Sequence, residues 1–231
     1  MDAFSSVHRG NLRQFQTDRI GGGNQGTVRR IRVNGKTAVI KDIAGRNLIY
    51  RILLGRWMLA REYRIYRKLQ GLEGIPALYK KLDRDGFLCE YIAGEPLSSF
   101  ARNAPLPASF FNTLNELVEK IHVRGVVHSD LKHKKNILVT ADFKPYLVDF
   151  GASLIRGPRW NLLNRWFYGQ FLEIDRRAVS KIRRRFSRGD PDAEDLESLE
   201  RRNIMERCST LYQSIYRFFS PKHRWKRRRK K

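Results

Sequence analysis

Two short apolar runs near the middle of the chain, residues 137–139 and 146–148, are separated by six residues that include a proline. This pattern predicts a β-hairpin. Asn136 directly precedes the first run, Asp149 directly follows the second, and Asp130 lies on the loop that enters the hairpin. Because antiparallel strands place such positions side by side, we expect Asn136 and Asp149 to meet at the open end. Two oxygen ligands beside a further carboxylate suit Mg²⁺ and a phosphate donor.

The composition is strongly basic, with 47 lysines and arginines against 23 acidic residues and a formal net charge of +24. Such a charge attracts polyanions, and nucleic acid, anionic lipid and a phosphorylated glycolipid all qualify. No apolar run reaches the ~18 residues expected of a membrane span, and the first residues lack the apolar stretch of a signal peptide. The two cysteines form neither a disulfide framework nor a metal quartet. We therefore expect a cytoplasmic protein.

A glycine-rich segment, Gly21-Gly22-Gly23-Asn24-Gln25-Gly26, lies between two runs that favour β-strands. The next pair of β-rich runs is separated by Asn34-Gly35, which is a strong signal for a hairpin turn. The glycine segment therefore joins strand to strand. A dinucleotide-binding fingerprint joins strand to helix, so that interpretation is excluded.

Apolar residues at helical spacing predict a helix over residues 56–70. Glu62 falls within the apolar stripe of this helix, where a carboxylate is costly unless it is paired. Lys41, at the end of a predicted strand, is the natural partner. The alternative is that Glu62 lies at the edge of the stripe, in water.

The pattern of elements predicts two lobes and a tail. The sequence pattern predicts β-strands with one helix over residues 1–91, and a smaller, mainly helical lobe over residues 92–220. The segment Gly94-Glu95-Pro96 interrupts the pattern and is a candidate hinge between the lobes. Residues 221–231 are nearly all basic and form a predicted tail.

Five motifs, in this order, resemble those of the protein kinase superfamily. They are Gly21-x-Gly23-x-x-Gly26-x-Val28, Val39-Ile40-Lys41, Glu62, His128-x-Asp130-Leu131 and Asp149-Phe150-Gly151. The resemblance implies an α+β, protein-kinase-like bilobal fold with a β-rich N-lobe and a reduced helical C-lobe. It also implies ATP and Mg²⁺ as cofactors.

The chain departs from the superfamily pattern in several places. Ser129 stands where arginine is usual, and the spacing from Asp130 to Asn136 is one residue longer than usual. No Ala-Pro-Glu follows Asp149-Phe150-Gly151, and the chain after that motif is short. This compact form is similar to the RIO-type and Bud-type small kinases and to the lipopolysaccharide-core sugar kinases.

The resemblance implies a role for each residue of the central motifs. Asp130 would orient or deprotonate the acceptor hydroxyl, and Lys132 would neutralise the transferring phosphate. Asn136 and Asp149 would hold Mg²⁺. His128 would brace the loop rather than transfer protons.

The resemblance also implies nucleotide contacts and one structural support. Lys41 would bind the α- and β-phosphates and would be positioned by Glu62. Asp175 would be a helix aspartate that supports the loop around Asp130. The other nucleotide contacts would come from Gly21, Gly23 and Gly26 at the phosphates, from Val28 and Val39 above the adenine, and from the backbone groups of Glu90 and Ile92.

The expected reaction is phosphoryl transfer to a hydroxyl group, and two acceptors stay open: a protein serine or threonine, and a sugar on an anionic glycolipid. The basic run 132–135 is interpreted as a solvated charged face, as such runs usually are, and the alternative suggested by its position beside Asp130 is an acidic acceptor. The apolar stripe within 160–171 is interpreted as core rather than as a membrane contact, although Arg159 and Arg165 accompany it.

The basic composition of the tail 221–231 indicates reversible attachment to the inner face of an anionic membrane, and nucleic acid is the second candidate partner. A hypothesis from another class is a catalytically inactive kinase-like scaffold that binds nucleic acid or an acidic partner.

Overall fold

The computed structural model describes residues 4–15, 17–23, 26–100 and 106–187. The described residues form two compact units. The first lies within Met1–Gln70 and Pro76–Tyr91, and the second contains Gly71–Ile75 and the described residues from Ile92 onward. The predicted tail 221–231, like the tip of the glycine-rich segment at residues 24–25, lies outside the described residues.

The first unit is built on a five-stranded antiparallel sheet with the order β1-β2-β3-β5-β4. The strands are β1 (Thr17–Gly23), β2 (Gly26–Val33), β3 (Lys36–Asp42), β4 (Leu78–Lys81) and β5 (Gly86–Glu90). Between β2 and β3, Asn34 and Gly35 have φ values of 50° and 76°. Positive φ at both central residues is what a two-residue hairpin turn requires, so the predicted Asn-Gly hairpin is confirmed.

The core of this sheet comes from alternating residues of the central strands. Ile31 and Val33 in β2, and Ala38 and Ile40 in β3, are buried with Phe4 from the N-terminal segment. Residues two apart on a strand point to the same face, which places these side chains in one layer.

The helical part of the first unit consists of α1 (Leu48–Tyr50), a π-helical turn (Arg51–Gly55) and α2 (Arg56–Leu69). The predicted helix is therefore confirmed, and helical structure begins eight residues earlier, after Asn47. The Asn47 side chain accepts a hydrogen bond from the Ile49 N–H at 2.9 Å, which caps the first turn. The members of the predicted stripe are all buried: Met58, Glu62, Ile65 and Leu69.

The second unit contains two small sheets and two long helices. Its strands are β6 (Gly94–Pro96), β7 (Val126–Val127), β8 (Ile137–Thr140), β9 (Pro145–Leu147) and β10 (Leu154–Ile155), paired as β6-β8-β9 and β10-β7. Its helices are α3 (Ala108–Val123) and α4 (Leu162–Phe186). Together the two units have the mixed α+β structure that the sequence predicts.

The hinge predicted at residues 94–96 is wrong, because these residues form β6 and pair with β8. A Cβ atom at Gly94 would lie 2.9 Å from the Val139 carbonyl oxygen. The glycine therefore permits close packing of two strands rather than movement. In this part of the chain, the two units divide between Tyr91 and Ile92.

The interpretation of the stripe within 160–171 as core is wrong for its first half. Trp160, Leu162, Leu163 and Trp166 are 81%, 74%, 67% and 52% exposed. Phe171 is buried and packs in a cluster with other residues of the second unit, as the core interpretation expected. The exposed residues are Trp160, which precedes α4, and three of the first five residues of α4. None of the described helices combines the length and apolar character needed to cross a membrane.

Candidate active site

The loop over residues 128–136, here called the Asp130 loop, is held by a carboxylate on α4. Asp175 is fully buried, and its two oxygens accept hydrogen bonds from the backbone N–H groups of His128 and Ser129 at 2.6 and 2.8 Å. His122 Nε2 lies 3.2 Å from the same carboxylate. The supporting role that the resemblance implied for Asp175 is therefore confirmed in its geometry.

Two serine hydroxyls fasten the Asp130 loop to the segment that follows Asp149. Ser129 Oγ donates to the Ala152 carbonyl oxygen at 2.7 Å, and Ser153 Oγ donates to the His128 carbonyl oxygen at 3.0 Å. Ser129 adopts a φ of 62°, which is uncommon for a residue with a side chain. Sequence reasoning missed this pair of bonds. Its one signal was the serine in place of the usual arginine.

His128 braces the loop, as expected. Its ring is buried, Nε2 lies 3.1 Å from the Val148 carbonyl oxygen, and the ring centroid is 4.9 Å from that of Phe150. A carbonyl oxygen only accepts hydrogen bonds, so Nε2 carries the proton and donates it. This arrangement ties the ring to the backbone just before Asp149.

Asn136 reaches Asp130 despite the extra residue between them. Its Nδ2 donates to the Asp130 carbonyl oxygen at 3.0 Å and to Asp130 Oδ2 at 3.1 Å. The insertion is absorbed by a tight turn in which the His133 N–H bonds to the Asp130 carbonyl oxygen and the Asn136 N–H bonds to the His133 carbonyl oxygen. The longer spacing therefore leaves the amide beside the carboxylate.

His133 is a second neighbour of Asp130 that sequence reasoning missed as a contact. Its Nδ1 lies 2.5 Å from Asp130 Oδ1. The Asp130 side chain is 21% exposed and the His133 side chain 43% exposed. The basic insertion in the loop was the available signal, but its spacing did not indicate that one member would turn back onto Asp130.

The register of the central hairpin is one residue away from the predicted one. Ile137 pairs with Leu147, and the Val148 N–H donates to the Asn136 carbonyl oxygen at 2.9 Å, so Asn136 lies opposite Val148. Asp149 is the next residue along the chain. The shift arises at the other end, where Phe143 has a φ of 56° within a four-residue connection, residues 141–144, instead of the six-residue one expected.

The oxygen atoms of Asn136 and Asp149 have the chemistry that Mg²⁺ prefers. Asn136 donates to Asp130 through its amide nitrogen, so its amide oxygen is the atom suited to a metal. Asp149 is half-buried and has left-handed backbone angles of 66° and 68° at the start of a 3₁₀ turn, Phe150–Ala152. Mg²⁺ takes one or two protein ligands and completes its shell with water and phosphate oxygens, so this donor set fits it.

In the first unit, Lys41 and Glu62 form a hydrogen-bonded ion pair. Their side chains are only 12% and 6% exposed. The predicted pairing is confirmed, and the alternative of a solvated Glu62 is wrong. Lys41 is fixed by its place in β3, where it lies opposite Val28 of β2.

The predicted glycine loop is a hairpin between β1 and β2. Gly21 and Gly23 lie in β1, Gly26 lies in β2, and Gly23 pairs with Gly26. A Cβ atom at Gly26 would lie 2.8 Å from the carbonyl oxygen of Asp42. Close packing against the end of β3 is therefore a reason for this glycine that does not depend on a ligand.

The predicted adenine contacts lie on or next to the central strands. Val39 in β3 is buried, with 8% of its surface exposed. Glu90 at the end of β5 donates its N–H to the Ala77 carbonyl oxygen at 2.8 Å, so its carbonyl is the backbone group it can offer a ligand. The Ile92 carbonyl oxygen accepts from the Gly94 N–H at 3.0 Å. Its N–H is therefore the group suited to an adenine acceptor.

The model of the protein kinase domain family matches residues 15–160 of this chain. The EKC/KEOPS complex subunit BUD32 of Encephalitozoon cuniculi is 31% identical over 140 residues, which cover 57% of this chain and 66% of that protein. Serine/threonine-protein kinase D of Synechocystis sp. is 34% identical over 82 residues, covering 34% of this chain and 16% of that protein. The chain thus spans just under two thirds of the length of that BUD32 protein.

Two solved structures of a Rio2 kinase from Chaetomium thermophilum resemble the chain. One has a TM-score of 0.57 at 18% identity and covers 80% of this chain and 61% of that one. The other, described as an ADP/Mg²⁺-phosphoaspartate complex, has a TM-score of 0.53 at 20% identity, with coverage of 80% and 60%. These likenesses confirm the predicted protein-kinase-like fold.

Proposed function

Because this chain belongs to the protein kinase domain family, we propose that it is an enzyme that transfers the γ-phosphoryl group of ATP to a hydroxyl group, with Mg²⁺ as cofactor. The observation that carries the proposal is the Asp130 carboxylate, held by Asn136 beside the start of the Asp149 motif. Phosphoryl transfer depends mainly on positioning and on charge neutralisation, and these residues have the chemistry for both.

In the second unit, Asp130 accepts the hydrogen of the acceptor hydroxyl and orients its oxygen for attack. The hydrogen bond from Asn136 Nδ2 fixes the carboxylate for this task. The Asn136 amide oxygen and the Asp149 carboxylate hold Mg²⁺, which neutralises phosphate charge when bound. Lys132, which is exposed, faces the transferring phosphate.

In the first unit, Lys41 binds the α- and β-phosphates. The ion pair with Glu62 supports this role, because it holds the ammonium group in one place at the end of β3. Val28 and Val39 contact the adenine, and the backbone carbonyl of Glu90 offers it an acceptor. The proposed adenine contact of the second unit is the Ile92 N–H, which is a donor. The backbone of Gly21 and Gly23 approaches the phosphates without a Cβ atom in the way.

The test of catalysis and cofactor use compares Asp130→Ala and Asp149→Ala with Asp142→Ala. Asp142 lies on the connection of the same hairpin and its side chain is 62% exposed, so it is a matched control. We expect Mg²⁺-ATP at 100 times its Kd to raise the melting temperature by about 5–10 °C. Asp149→Ala loses most of that shift, and Asp130→Ala keeps it but loses ATP turnover. Turnover that survives Asp130→Ala contradicts the catalytic role.

The same experiment separates the enzyme from the alternative, an inactive scaffold that binds nucleic acid or an acidic partner. A scaffold needs no catalytic carboxylate. If the chain is a scaffold, the wild type therefore shows no ATP turnover, and Asp130→Ala binds the partner as tightly as the wild type does. The Lys41–Glu62 pair and the fixed Asp130 favour the enzyme, since neither is required by a surface that only binds.

A protein serine or threonine is the first candidate acceptor. It is supported by the family match and by the likeness to serine/threonine-protein kinase D of Synechocystis sp. over 34% of the chain. A sugar hydroxyl on an anionic glycolipid is the second candidate. Incubation with labelled ATP, total cell protein and a glycolipid extract distinguishes them, because the label then migrates either with protein or with lipid.

The observation that favours the glycolipid is an exposed apolar patch with a basic border. Trp160, Leu162, Leu163 and Trp166 project into solvent, and Arg159 and Arg165 next to them are exposed as well. From residue 151 to residue 172 the chain contains no acidic residue. Tryptophan and leucine beside arginine suit the interface of an anionic membrane. Peripheral attachment of a cytoplasmic protein to that surface is therefore part of the proposal.

Sedimentation with phosphatidylglycerol vesicles tests this attachment. The double variant Trp160→Ala/Trp166→Ala sediments less than the wild type, whereas Trp57→Ala, which removes an exposed tryptophan of the first unit, sediments normally. Deleting residues 222–231 also weakens sedimentation, because each basic residue near the surface contributes about 1 kcal/mol. Unchanged sedimentation in both variants contradicts the membrane proposal. Nucleic acid then becomes the better partner for the basic tail.

A further inference from the structure

A cavity of about 390 Å³ lies in the second unit, next to the Asp130 loop. Three segments line it: the Asp130 loop, the residues around the 3₁₀ turn Leu97–Ser99, and the C-terminal end of α4. Five of its lining side chains are basic: Lys132, His133, Lys134, Lys135 and Arg185. The described residues that line the cavity include no carboxylate.

The cavity is adjacent to the proposed catalytic carboxylate. His133 lines the cavity, and its Nδ1 lies 2.5 Å from Asp130 Oδ1. A group bound in the cavity is therefore one side chain away from the carboxylate that orients the acceptor hydroxyl. This adjacency suits a second group on the same acceptor molecule.

Two aromatic rings give this basic cavity an apolar wall. Phe186 is 4% exposed, and Phe100, just after the 3₁₀ turn Leu97–Ser99, also lines the cavity. The Arg185 guanidinium lies 5.8 Å from the centre of the Phe186 ring, which helps to hold it in place. An apolar wall lowers the local dielectric constant and strengthens the attraction between these cations and an anion.

The number of basic groups favours a phosphate monoester over a carboxylate. A phosphate monoester carries a charge of about −1.5 to −2 at pH 7 and three acceptor oxygens. Arginine can bind two of those oxygens at once, and lysine ammonium groups can bind the third. A carboxylate has one charge and only two oxygens, so it would use fewer of the lysine and arginine donors that line the cavity.

We infer that this cavity binds a phosphoserine or phosphothreonine that is already present on the acceptor protein, close to the hydroxyl that receives the next phosphate. The inference rests on the proposed kinase function and identifies the acceptor as a protein that already carries a phosphorylated side chain. The enzyme then acts on a protein that another kinase has phosphorylated first.

The test uses peptides that differ at one position, which holds phosphoserine, serine or glutamate, placed two residues before or after a single threonine. Binding is measured without ATP by fluorescence anisotropy, and phosphorylation of the threonine is measured with Mg²⁺-ATP. We expect the phosphoserine peptide to bind at least about tenfold more tightly than the serine peptide, with glutamate between them. Its kcat/KM rises in parallel.

The charge-reversal variants Arg185→Glu and Lys135→Glu abolish the preference for phosphoserine. Arg184→Glu is the matched control, since Arg184 is an exposed neighbour on α4 that is absent from the lining, and it keeps the preference. Equal binding of the phosphoserine and serine peptides overturns the inference. An equal loss of the phosphoserine preference in Arg184→Glu also overturns it, because the preference would then come from long-range electrostatic attraction and not from the cavity.

Two further measurements separate the possible failures. A phosphorylated sugar that binds the cavity while the phosphopeptide does not would overturn the assignment to a protein. If the phosphopeptide does not bind but Mg²⁺-ATP still raises the melting temperature and is turned over, the inference fails and the proposed function stands. If Mg²⁺-ATP has no effect, the proposed function itself fails.

Discussion

The carboxylate of Asp175 offers the sharpest test of how the second unit is held together. It is fully buried and accepts the backbone N–H groups of both His128 and Ser129. The variant Asp175→Asn has the same shape but only one acceptor oxygen. Its NH₂ group therefore faces one of the two backbone donors, which loses its partner and becomes a buried, unsatisfied N–H.

The expected cost follows from these contacts. A hydrogen bond to a charged group contributes about 1.5–3 kcal/mol, and an unsatisfied buried donor costs about 1–3 kcal/mol. We therefore expect Asp175→Asn to lower the free energy of unfolding by about 3 kcal/mol. For a chain of this size that corresponds to a decrease in melting temperature of about 6–12 °C. Because a displacement of ~1 Å in a catalytic group can cost about 100-fold in rate, turnover decreases as well.

Urea denaturation followed by circular dichroism measures the first effect, and ATP turnover measures the second. Glu116→Gln is the control, since Glu116 is 66% exposed and only 3.7 Å from Lys120 in a surface ion pair. Removing that pair costs less than about 0.5 kcal/mol. If Asp175→Asn loses less than about 1 kcal/mol and keeps its turnover, the reasoning about the buried carboxylate is refuted.

Three further predictions concern the first unit. Burial raises the pKa of Cys89 to about 12, so in a variant whose other cysteine is serine we expect no reaction with a thiol reagent at pH 8 until urea unfolds the protein. Arg56 holds the pKa of Asp85 below its usual range. The ionised carboxylate therefore stabilises the folded state at pH values above the unfolded pKa of about 3.9. The wild type should be more stable than Asp85→Asn at pH 7, and this difference should shrink as the pH falls below 4. Urea denaturation at pH 7 and at pH 3 measures the difference. Gly26→Ala lowers the free energy of unfolding by about 1–3 kcal/mol because its Cβ atom meets backbone, whereas Gly21→Ala, with ordinary packing distances, has a smaller effect.

The sequence predicts those parts of the site in which a side chain needs a particular partner and the residue pattern supplies that partner. Glu62 could be paired with Lys41 because a carboxylate in an apolar stripe needs a cation, and a predicted strand ends in this lysine. The fixed order of the motifs likewise indicated the fold. These inferences needed no knowledge of how distant segments pack.

The parts that the sequence did not predict depend on backbone conformation or on which face a helix turns to its neighbours. The register of the central hairpin was set by the left-handed conformation of Phe143, which residue type alone did not reveal. The contact of His133 with Asp130 depends on how the inserted residue is absorbed. Trp160 and Trp166 have the spacing of a buried stripe, yet they are exposed, because spacing identifies a face without identifying what covers it.

The conformation of the Asp130 loop is determined largely by residues outside its own motif. Ser129 and Asp149 both adopt positive φ values, which cost energy for residues with side chains. Such a conformation persists only where several contacts require it together, and here Asp175 and Ser153 supply them from α4 and from the segment after Asp149. The motifs therefore contribute the chemistry, whereas two residues outside them hold the loop in its shape: a buried aspartate, which the resemblance indicated, and a serine, which it did not. Variants at these two supports should consequently affect turnover without touching ATP or the acceptor.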